Sequence, residues 1–167
     1  MNCPWFNPGI ILEGGAIDVN GEGVCLTTTS CLLNKNRNNS LKINDIEDYL
    51  KKFLGVKIII WLEGSLEGDD TDGHIDNLAR FVNSKTIVYT TDQNEHGANY
   101  ENLKLIPKAL KEAKNIDGKR FNIIPLPIPN SIKHKNSYLP ANYANFYIGN
   151  SSVLVPAFND PNDEIAK

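Results

Sequence analysis

The chain has 167 residues, a formal net charge of −3, 41% hydrophobic residues and 22% charged residues. These values are ordinary for a globular protein, and they exclude collagen-like, low-complexity and intrinsically disordered classes. The length predicts about one domain, and the slightly acidic balance gives no support for a nucleic-acid partner.

The sequence favours a protein of the cytoplasm. Its longest apolar runs, such as 56–62, are far shorter than the roughly twenty residues that span a membrane, so we expect no membrane partner. The first residues lack the charged and apolar regions of a secretory signal. Cys3, Cys25 and Cys31 form no CxxC pair, which predicts free thiols, with a structural disulfide as the alternative.

The N-terminal part of the chain predicts a unit of two strands, a helix and a further strand. Apolar and β-branched runs predict the strands, and Gly14-Gly15 separates the first two pieces. Apolar residues on one face predict the helix. In chain order the elements are strands over 10–12, 16–19 and 24–28, a polar loop over 34–39, a helix over 45–54 and a strand over 56–62.

Both ends of the predicted helix carry sequence signals. Asn44 is followed three residues later by Glu47, which matches a capping box and predicts the N-terminus. Gly55 stands where a left-handed residue commonly ends a helix. Together these signals favour a helix of about ten residues between two strands.

The same order of elements recurs along the chain. A second unit is complete, and Pro125, Pro127 and Pro129 are expected to stop its last strand. A third unit starts, with Asp160 as N-cap and Pro161 as the first helical residue. The predicted elements are strands over 75–82, 86–90 and 121–126 with a helix over 100–113, then strands over 143–148 and 153–158.

The three predicted helices begin at a period of roughly 55–60 residues, which favours repeated modules. The alternative is one ordinary α/β or α+β sheet in which the spacing is coincidental. We expect the α/β fold class, built of such repeated modules.

The most unusual segment is 63–76, with the sequence EGSLEGDDTDGHID. It holds six acidic residues, no lysine or arginine, and one histidine, His74. This density of negative charge favours a cationic ligand. An EF-hand is excluded, because alignment on its invariant glycine puts Gly68 and Ala79 at the first and last ligand positions.

An organic cation fits His74 and Asp76 better than a metal ion does. If a strand begins here, two residues of separation point both side chains to one face. An aspartate can bind a guanidinium through two parallel, charge-assisted hydrogen bonds, and a neighbouring histidine can transfer protons near neutral pH. The alternatives are a metal site that includes both residues, and a solvated acidic loop in which His74 has no role.

Glu13 is a second candidate, because it directly precedes two glycines that permit close backbone approach. The functional interpretation is a buried carboxylate that orients a catalytic base, and burial would require a partner. The alternative is a turn with a solvent-facing glutamate. Cys25 and Cys31 have no adjacent histidine and are interpreted as small buried hydrophobes, and 36–38 as a structured loop.

Five segments of the chain resemble the agmatine deiminases. These enzymes belong to the bacterial-type peptidylarginine deiminase family of the guanidine-modifying, or pentein, superfamily. The segments occur in the family order and span almost the whole chain, which makes the resemblance specific. They are LEGGAIDVNGEG (12–23), CLLNKNRN (31–38), LGVKIIIWL (54–62), GDDTDGHIDNLARFV (68–82) and NFYIGNSSVLVPAFNDPNDE (145–164).

The resemblance implies a partial α/β propeller, the pentein fold, built of strand–strand–helix–strand modules. Residues 1–167 would form a single partial domain, roughly half of a five-bladed propeller. The implied reaction converts agmatine into N-carbamoylputrescine and ammonia, a step towards putrescine, and deimination of peptidyl-arginine is the related alternative. The resemblance implies no metal or organic cofactor. The expected partner is a small guanidinium substrate, and a homo-oligomer stays open.

By resemblance, Asp76 binds the guanidinium nitrogens, His74 is the general acid and base, and Glu13 supports His74. The family's nucleophilic cysteine lies near its C-terminus, in a Gly-rich segment that ends in a His-Cys pair, and none of the three cysteines here stands in such a segment. We therefore expect a central fragment that is catalytically incomplete alone. The alternative is a non-catalytic module that binds a cation or pairs through exposed strand edges.

Overall fold

The computed structural model describes residues 3–167, and its first half contains the predicted strand–strand–helix–strand unit. We call this unit, over 14–62, the first module. It consists of a 3₁₀ turn Gly14–Ala16, β1 Ile17–Val19, β2 Val24–Thr28, a short helix α1 Thr29–Leu32, α2 Ile43–Leu54 and β3 Ile58–Leu62. Strands β1 and β2 are antiparallel, whereas β2 and β3 are parallel.

The second module, over 75–127, repeats this plan. It consists of a 3₁₀ turn Ile75–Asn77, β4 Ala79–Asn83, β5 Thr86–Thr91, the helices α3 Tyr100–Leu103 and α4 Ile106–Glu112, and β6 Asn122–Pro127. Strands β4 and β5 are antiparallel, and β5 and β6 are parallel. The two modules therefore share element order and strand direction, as the period of the sequence predicted.

The rest of the chain is less regular than predicted. The strands expected over 143–148 and 153–158 shorten to two residues each, and a small hairpin over 133–138 was not predicted. The helix expected from Pro161 begins two residues later, with Asn162 as its N-cap. These elements are β7 Lys133–His134, β8 Ser137–Tyr138, β9 Tyr147–Ile148, β10 Val153–Leu154 and α5 Asp163–Ala166.

Prolines explain two boundaries in the second module that the sequence analysis placed wrongly. The helix predicted over 100–113 is broken in two, because Pro107 lies in the first turn of α4 and starts a new helix there. Conversely, β6 continues through Pro125 to Pro127. This strand is the edge of its sheet, where a missing amide N–H is tolerated.

Two predictions at the start of the first module are also wrong. Residues 10–12 form no strand, although Ile10 and Leu12 pack against the core under α2. The α2 cap is not Asn44 with Glu47, because the helix begins at Ile43 and the Lys42 backbone N–H donates to the Asp45 carboxylate at 2.8 Å. Gly55 does end the helix, with φ of 70°.

The core holds the two modules together. One buried cluster joins side chains of β2 and β3 to those of β4, β5 and α4, and a second cluster lies between α2 and the first sheet. Cys25 and Cys31 belong to the second cluster, and all three cysteines are free thiols, as predicted. Within residues 3–167, no helix combines the length and apolar character needed to cross a bilayer.

Candidate functional site

The candidate site lies where the 3₁₀ turns of the two modules contact each other. Glu13 is the residue before the first turn, and His74 is the residue before the second. Each carbonyl accepts the hydrogen bond that closes its turn, from Ala16 N–H at 3.0 Å and from Asn77 N–H at 3.2 Å. The fold thus brings two residues separated by 61 positions into equivalent places.

Buried threonines hold both turns in place. The Thr27 hydroxyl donates to the Ala16 carbonyl at 2.8 Å, and the Thr90 hydroxyl donates to the Asn77 carbonyl at 2.7 Å. In addition, the Thr28 hydroxyl donates to the carbonyl of Gly73, one residue before His74, at 2.6 Å. Because these hydroxyls and carbonyls are buried, the bonds are costly to break, and the turns are rigid supports for the side chains they carry.

Gly15 is the point at which the two turns meet most closely. A Cβ atom at this position would lie 2.5 Å from His74 Nδ1 and 2.6 Å from Asp76 Oδ2. These separations are shorter than any normal non-bonded contact, so only glycine fits without displacing its neighbours. The glycine pair next to Glu13 therefore makes room for His74 and Asp76.

The structure brings all three candidate residues together. His74 Nε2 lies 3.6 Å from Glu13 Oε1, slightly beyond hydrogen-bond distance. Asp76 reaches the same place, since its carboxylate and the His74 ring both border the position that a Gly15 Cβ atom would take. The local prediction behind this pairing is wrong, however, because Ile75–Asn77 is a 3₁₀ turn and not the beginning of a strand.

Two polar atoms of the site are buried without a partner. Among the described residues, His74 Nε2 and Asp76 Oδ1 receive or donate no hydrogen bond. A buried polar atom without a partner destabilises a fold, and such atoms are rare in native proteins. Two of them on residues only two positions apart indicate a place prepared for the hydrogen bonds of a ligand.

The electrostatics of Asp76 suit a cationic ligand. Burial raises the pKa of Asp76, and the nearby charges of His74 and Arg80 oppose this rise. Arg80 itself is engaged by Asp18, whose carboxylate lies 2.9 Å from Arg80 Nε. A positively charged ligand against Asp76 would stabilise the ionised carboxylate.

Arg37 belongs to the site, although the sequence analysis assigned it only to a structured loop. Its Nε and Nη2 donate to the two carboxylate oxygens of Glu13 at 2.5 and 2.8 Å, and its Nη1 donates to Asp72 at 2.7 Å. Hydrogen bonding to Arg37 is the main cause that lowers the pKa of Glu13. No local pattern predicts these contacts, which join residues 24 and 35 positions apart.

The acidic segment over 63–76 is an ordered loop. Asp69 accepts hydrogen bonds from the Thr71 and Gly73 backbone N–H groups at 2.9 and 3.1 Å. Asp72 has a left-handed backbone with φ of 62°, and its carboxylate binds Arg37. Since Asp69 shapes the turn and Asp72 binds an arginine, the purely solvated loop that was the alternative interpretation does not fit these residues.

Cys31 lies beside Glu13 and His74, which the sequence analysis did not foresee, since it found no histidine near this cysteine in the sequence. Its Sγ is 3.9 Å from Glu13 Oε2, and one ligand-type atom of each of the three residues lies within 4.8 Å of the others. Burial raises the pKa of Cys31 to about 11, so its thiol is protonated at neutral pH. Both Glu13 oxygens already accept from Arg37, whose positive charge opposes a metal ion here.

Comparison with known proteins identifies the family of this chain. The Porphyromonas-type peptidyl-arginine deiminase family model matches residues 1–167. The chain belongs to this family. Agmatine deiminase from Medicago truncatula is 36% identical over 176 residues, covering 94% of this chain and 47% of the relative. The family that the five sequence segments indicated is therefore confirmed.

Solved structures of agmatine deiminases share the fold. One is a cysteine-to-serine variant of the C. jejuni enzyme, solved with substrate bound, which is 45% identical to this chain with a TM-score of 0.87. The match covers 93% of this chain and 45% of that enzyme. The Enterococcus faecalis enzyme is 28% identical with a TM-score of 0.90, over 96% and 48%. The chain thus spans about half the length of the relatives it matches.

Proposed function

We propose that this chain supplies the acid–base histidine and a guanidinium-binding carboxylate of an agmatine deiminase. The observation that carries the proposal is the pair of unpartnered, buried atoms His74 Nε2 and Asp76 Oδ1. A planar guanidinium presents parallel N–H donors to a carboxylate. Glu13 and Asp72 bind Arg37, Arg80 is paired with Asp18, and Asp76 has no arginine of its own. This net negative charge favours a cation.

In the proposed reaction Asp76 holds the guanidinium and a cysteine thiolate attacks its central carbon. The C–N bond breaks, and His74 gives a proton to the departing ammonia, which leaves an amidino group on the sulfur. Water then attacks this carbon while His74 accepts a proton, and the thiolate leaves as N-carbamoylputrescine forms. Glu13 stabilises the protonated imidazole from 3.6 Å.

We propose that the nucleophilic cysteine is not among the residues of this chain. Cys31 lies within 4.8 Å of a His74 ring nitrogen, but it is fully buried and its pKa is raised to about 11, whereas nucleophilic cysteines need an accessible thiolate. Accordingly, the purified 167-residue protein should release no ammonia from agmatine. Turnover that Cys31→Ala or His74→Ala abolishes would contradict this part of the proposal.

Agmatine binding tests the guanidinium site without requiring turnover. In calorimetric titrations we expect Asp76→Asn to weaken binding at least about tenfold, because a charged hydrogen-bond partner is lost. Asp117→Asn is the matched control, since Asp117 is exposed in a loop far along the chain from the site. Equal affinities of wild type and Asp76→Asn would refute the role of Asp76. Absence of binding to the wild type would contradict the guanidinium site proposed for this chain.

The second candidate substrate is peptidyl-arginine, because the matching family model is described by that activity. The same titrations with N-acetyl-arginine amide separate the two, since it carries the guanidinium and lacks the free amine of agmatine. Tighter binding of agmatine supports the first assignment, and tighter binding of the arginine derivative supports the second.

We also propose that the two modules are neighbouring blades of the five-bladed propeller that the resemblance implies. Their identical strand order and the contact between their equivalent turns support this arrangement. A crystal structure of a whole family member in which the modules are related by one fifth of a turn would agree with it.

A further inference from the structure

Arg37 joins three separate segments of the chain at the candidate site. Two of its nitrogens bind the Glu13 carboxylate, a third binds Asp72, and Nη2 also donates to the Thr71 carbonyl at 2.9 Å. Its side chain is only 9% exposed. Such a planar, forked group fixes the orientation of a carboxylate as well as its position, which a lysine ammonium does not do.

Glu13 depends on this contact for its place near His74. Its side chain is 39% exposed. Glu13 lies outside the helices and strands, directly before a turn that begins with two glycines. A glutamate so placed has several accessible rotamers, and holding it in one of them costs side-chain entropy. Its carboxylate also lies 3.9 Å from the Cys31 thiol and 3.6 Å from His74 Nε2.

The opposite side of Arg37 connects to the segment that carries His74. Asp72 lies two residues before His74, and its carboxylate accepts from Asn36 at 2.8 Å as well as from Arg37. One arginine therefore sets the position of the loop before His74 and of the carboxylate that faces the imidazole. Of the three arginines in the sequence, the others bind Asp18 and Glu112.

We propose that Arg37 is a positioning residue, whose forked hydrogen bond to Glu13 holds that carboxylate where it influences proton transfer by His74. The functional part of this inference rests on the proposed role of His74 as acid and base. The charged groups that act on His74 are Glu13, Asp72 and Asp76, and Arg37 binds the first two of them. The neutral Cys31 thiol lies within 4.8 Å of a His74 ring nitrogen.

The test measures how strongly Glu13 acts on His74, with and without the guanidinium fork. The imidazole of His74 is titrated by NMR in the wild type, Glu13→Gln, Arg37→Lys and the double variant. In the wild-type background, Glu13→Gln should move the NMR titration to lower pH, because a neighbouring negative charge is removed. In the Arg37→Lys background this shift should fall to half or less, although the formal charge is unchanged.

Arg120→Lys is the matched control, since Arg120 makes a long, exposed ion pair with Glu112 at 3.6 Å. In this background the Glu13→Gln shift should equal that of the wild type. If Arg37→Lys does not fold, Asp72→Asn replaces it, because it removes one partner of the guanidinium and should also reduce the shift. An undiminished shift in the folded Arg37 variant, or in Asp72→Asn where that is used, would overturn the proposal.

These titrations need no substrate, so they separate the inference from the proposed function. If agmatine does not bind but the shift depends on Arg37, the positioning role stands and the agmatine assignment fails. If agmatine binds through Asp76 but the shift is insensitive to residue 37, the assignment stands and the positioning role fails.

Discussion

The two modules have the same backbone plan and differ at the turn with which each begins. Both contain a 3₁₀ turn, two antiparallel strands, helical structure and a parallel third strand. Both turns are fixed by a buried threonine in the second strand, Thr27 or Thr90. What the modules share is thus the set of contacts that form the fold.

The difference lies in the side chains at equivalent places of the two turns. Glu13 corresponds to His74, and Gly15 corresponds to Asp76, as the second residue of its turn. Because the turns face each other, a side chain on one requires space on the other, and Gly15 provides it. The two repeated turns therefore form a site because their equivalent positions lie next to each other and carry residues of complementary size and charge.

The strongest way to break this complementarity is to fill the space at Gly15. Gly15→Ala puts a methyl group against His74 Nδ1 and Asp76 Oδ2. We expect a loss of about 1–3 kcal/mol of stability from overpacking, and at least about tenfold weaker agmatine binding from displacement of both side chains. Chemical denaturation and calorimetry measure the two effects.

The adjacent glycine supplies the control for that variant. A Cβ atom on Gly14 meets no atom within 4 Å. Gly14→Ala should therefore leave agmatine affinity within about twofold of the wild type and should cost little stability. If both variants lose affinity equally, turn flexibility rather than space for His74 and Asp76 would be the property that matters.

The shared part of the plan can be tested with the two threonines. Thr27→Val and Thr90→Val keep the shape of the side chain and remove the donor to a buried carbonyl, so each should destabilise the protein by about 1–2 kcal/mol. Similar losses would show that the turns are held equivalently. Thr86→Val, at the half-exposed start of β5, is the control and should change stability by less than about 0.5 kcal/mol. A large loss in only one module would contradict the equivalence.

The repeat was predictable from the sequence because strands and amphipathic helices are encoded locally. Strand β2 and the C-terminal end of α2 at Leu54 agree with the prediction, since apolar spacing and Gly55 are local signals. Short strands near the end of the chain were overpredicted. Apolar residues there, such as Val153 and Leu154, are exposed and form only a two-residue pairing.

The candidate residues His74, Asp76 and Glu13 were found from unusual composition and from resemblance, but their geometry was not predictable. The contact with Gly15 joins positions about sixty residues apart, and it depends on how the modules pack. The contacts of Cys31 and Arg37 with Glu13 likewise join distant positions of the chain and depend on packing. A lone arginine in a loop has no local pattern, and only the surplus of acids over 63–76 hinted that a cation should lie near them.

The smallest expected effect concerns the energetic cost of the site. Burial raises the pKa of Asp76, so its ionisation destabilises the folded state at every pH above that raised value. Asp76→Asn removes this cost and should stabilise the protein at pH 7 by about 1 kcal/mol, or about 2–4 °C in Tm. The same variant should bind agmatine more weakly, which separates function from stability.

The pH dependence gives the sharper form of this prediction. As the pH falls through the raised pKa of Asp76, the wild type becomes protonated there, and its deficit relative to Asp76→Asn should disappear. Asp72 is the opposite case, since hydrogen bonds from Asn36 and Arg37 lower its pKa. Asp72→Asn should therefore lower stability at pH 7, and this loss should largely persist at pH 4, because it disappears only as the pH falls through the lowered pKa of Asp72. Denaturation curves of both variants at pH 7 and pH 4 measure the change in stability that each substitution causes. If both substitutions lower stability at pH 7, the surroundings of Asp76 stabilise its ionised form as those of Asp72 do, which would contradict the prediction.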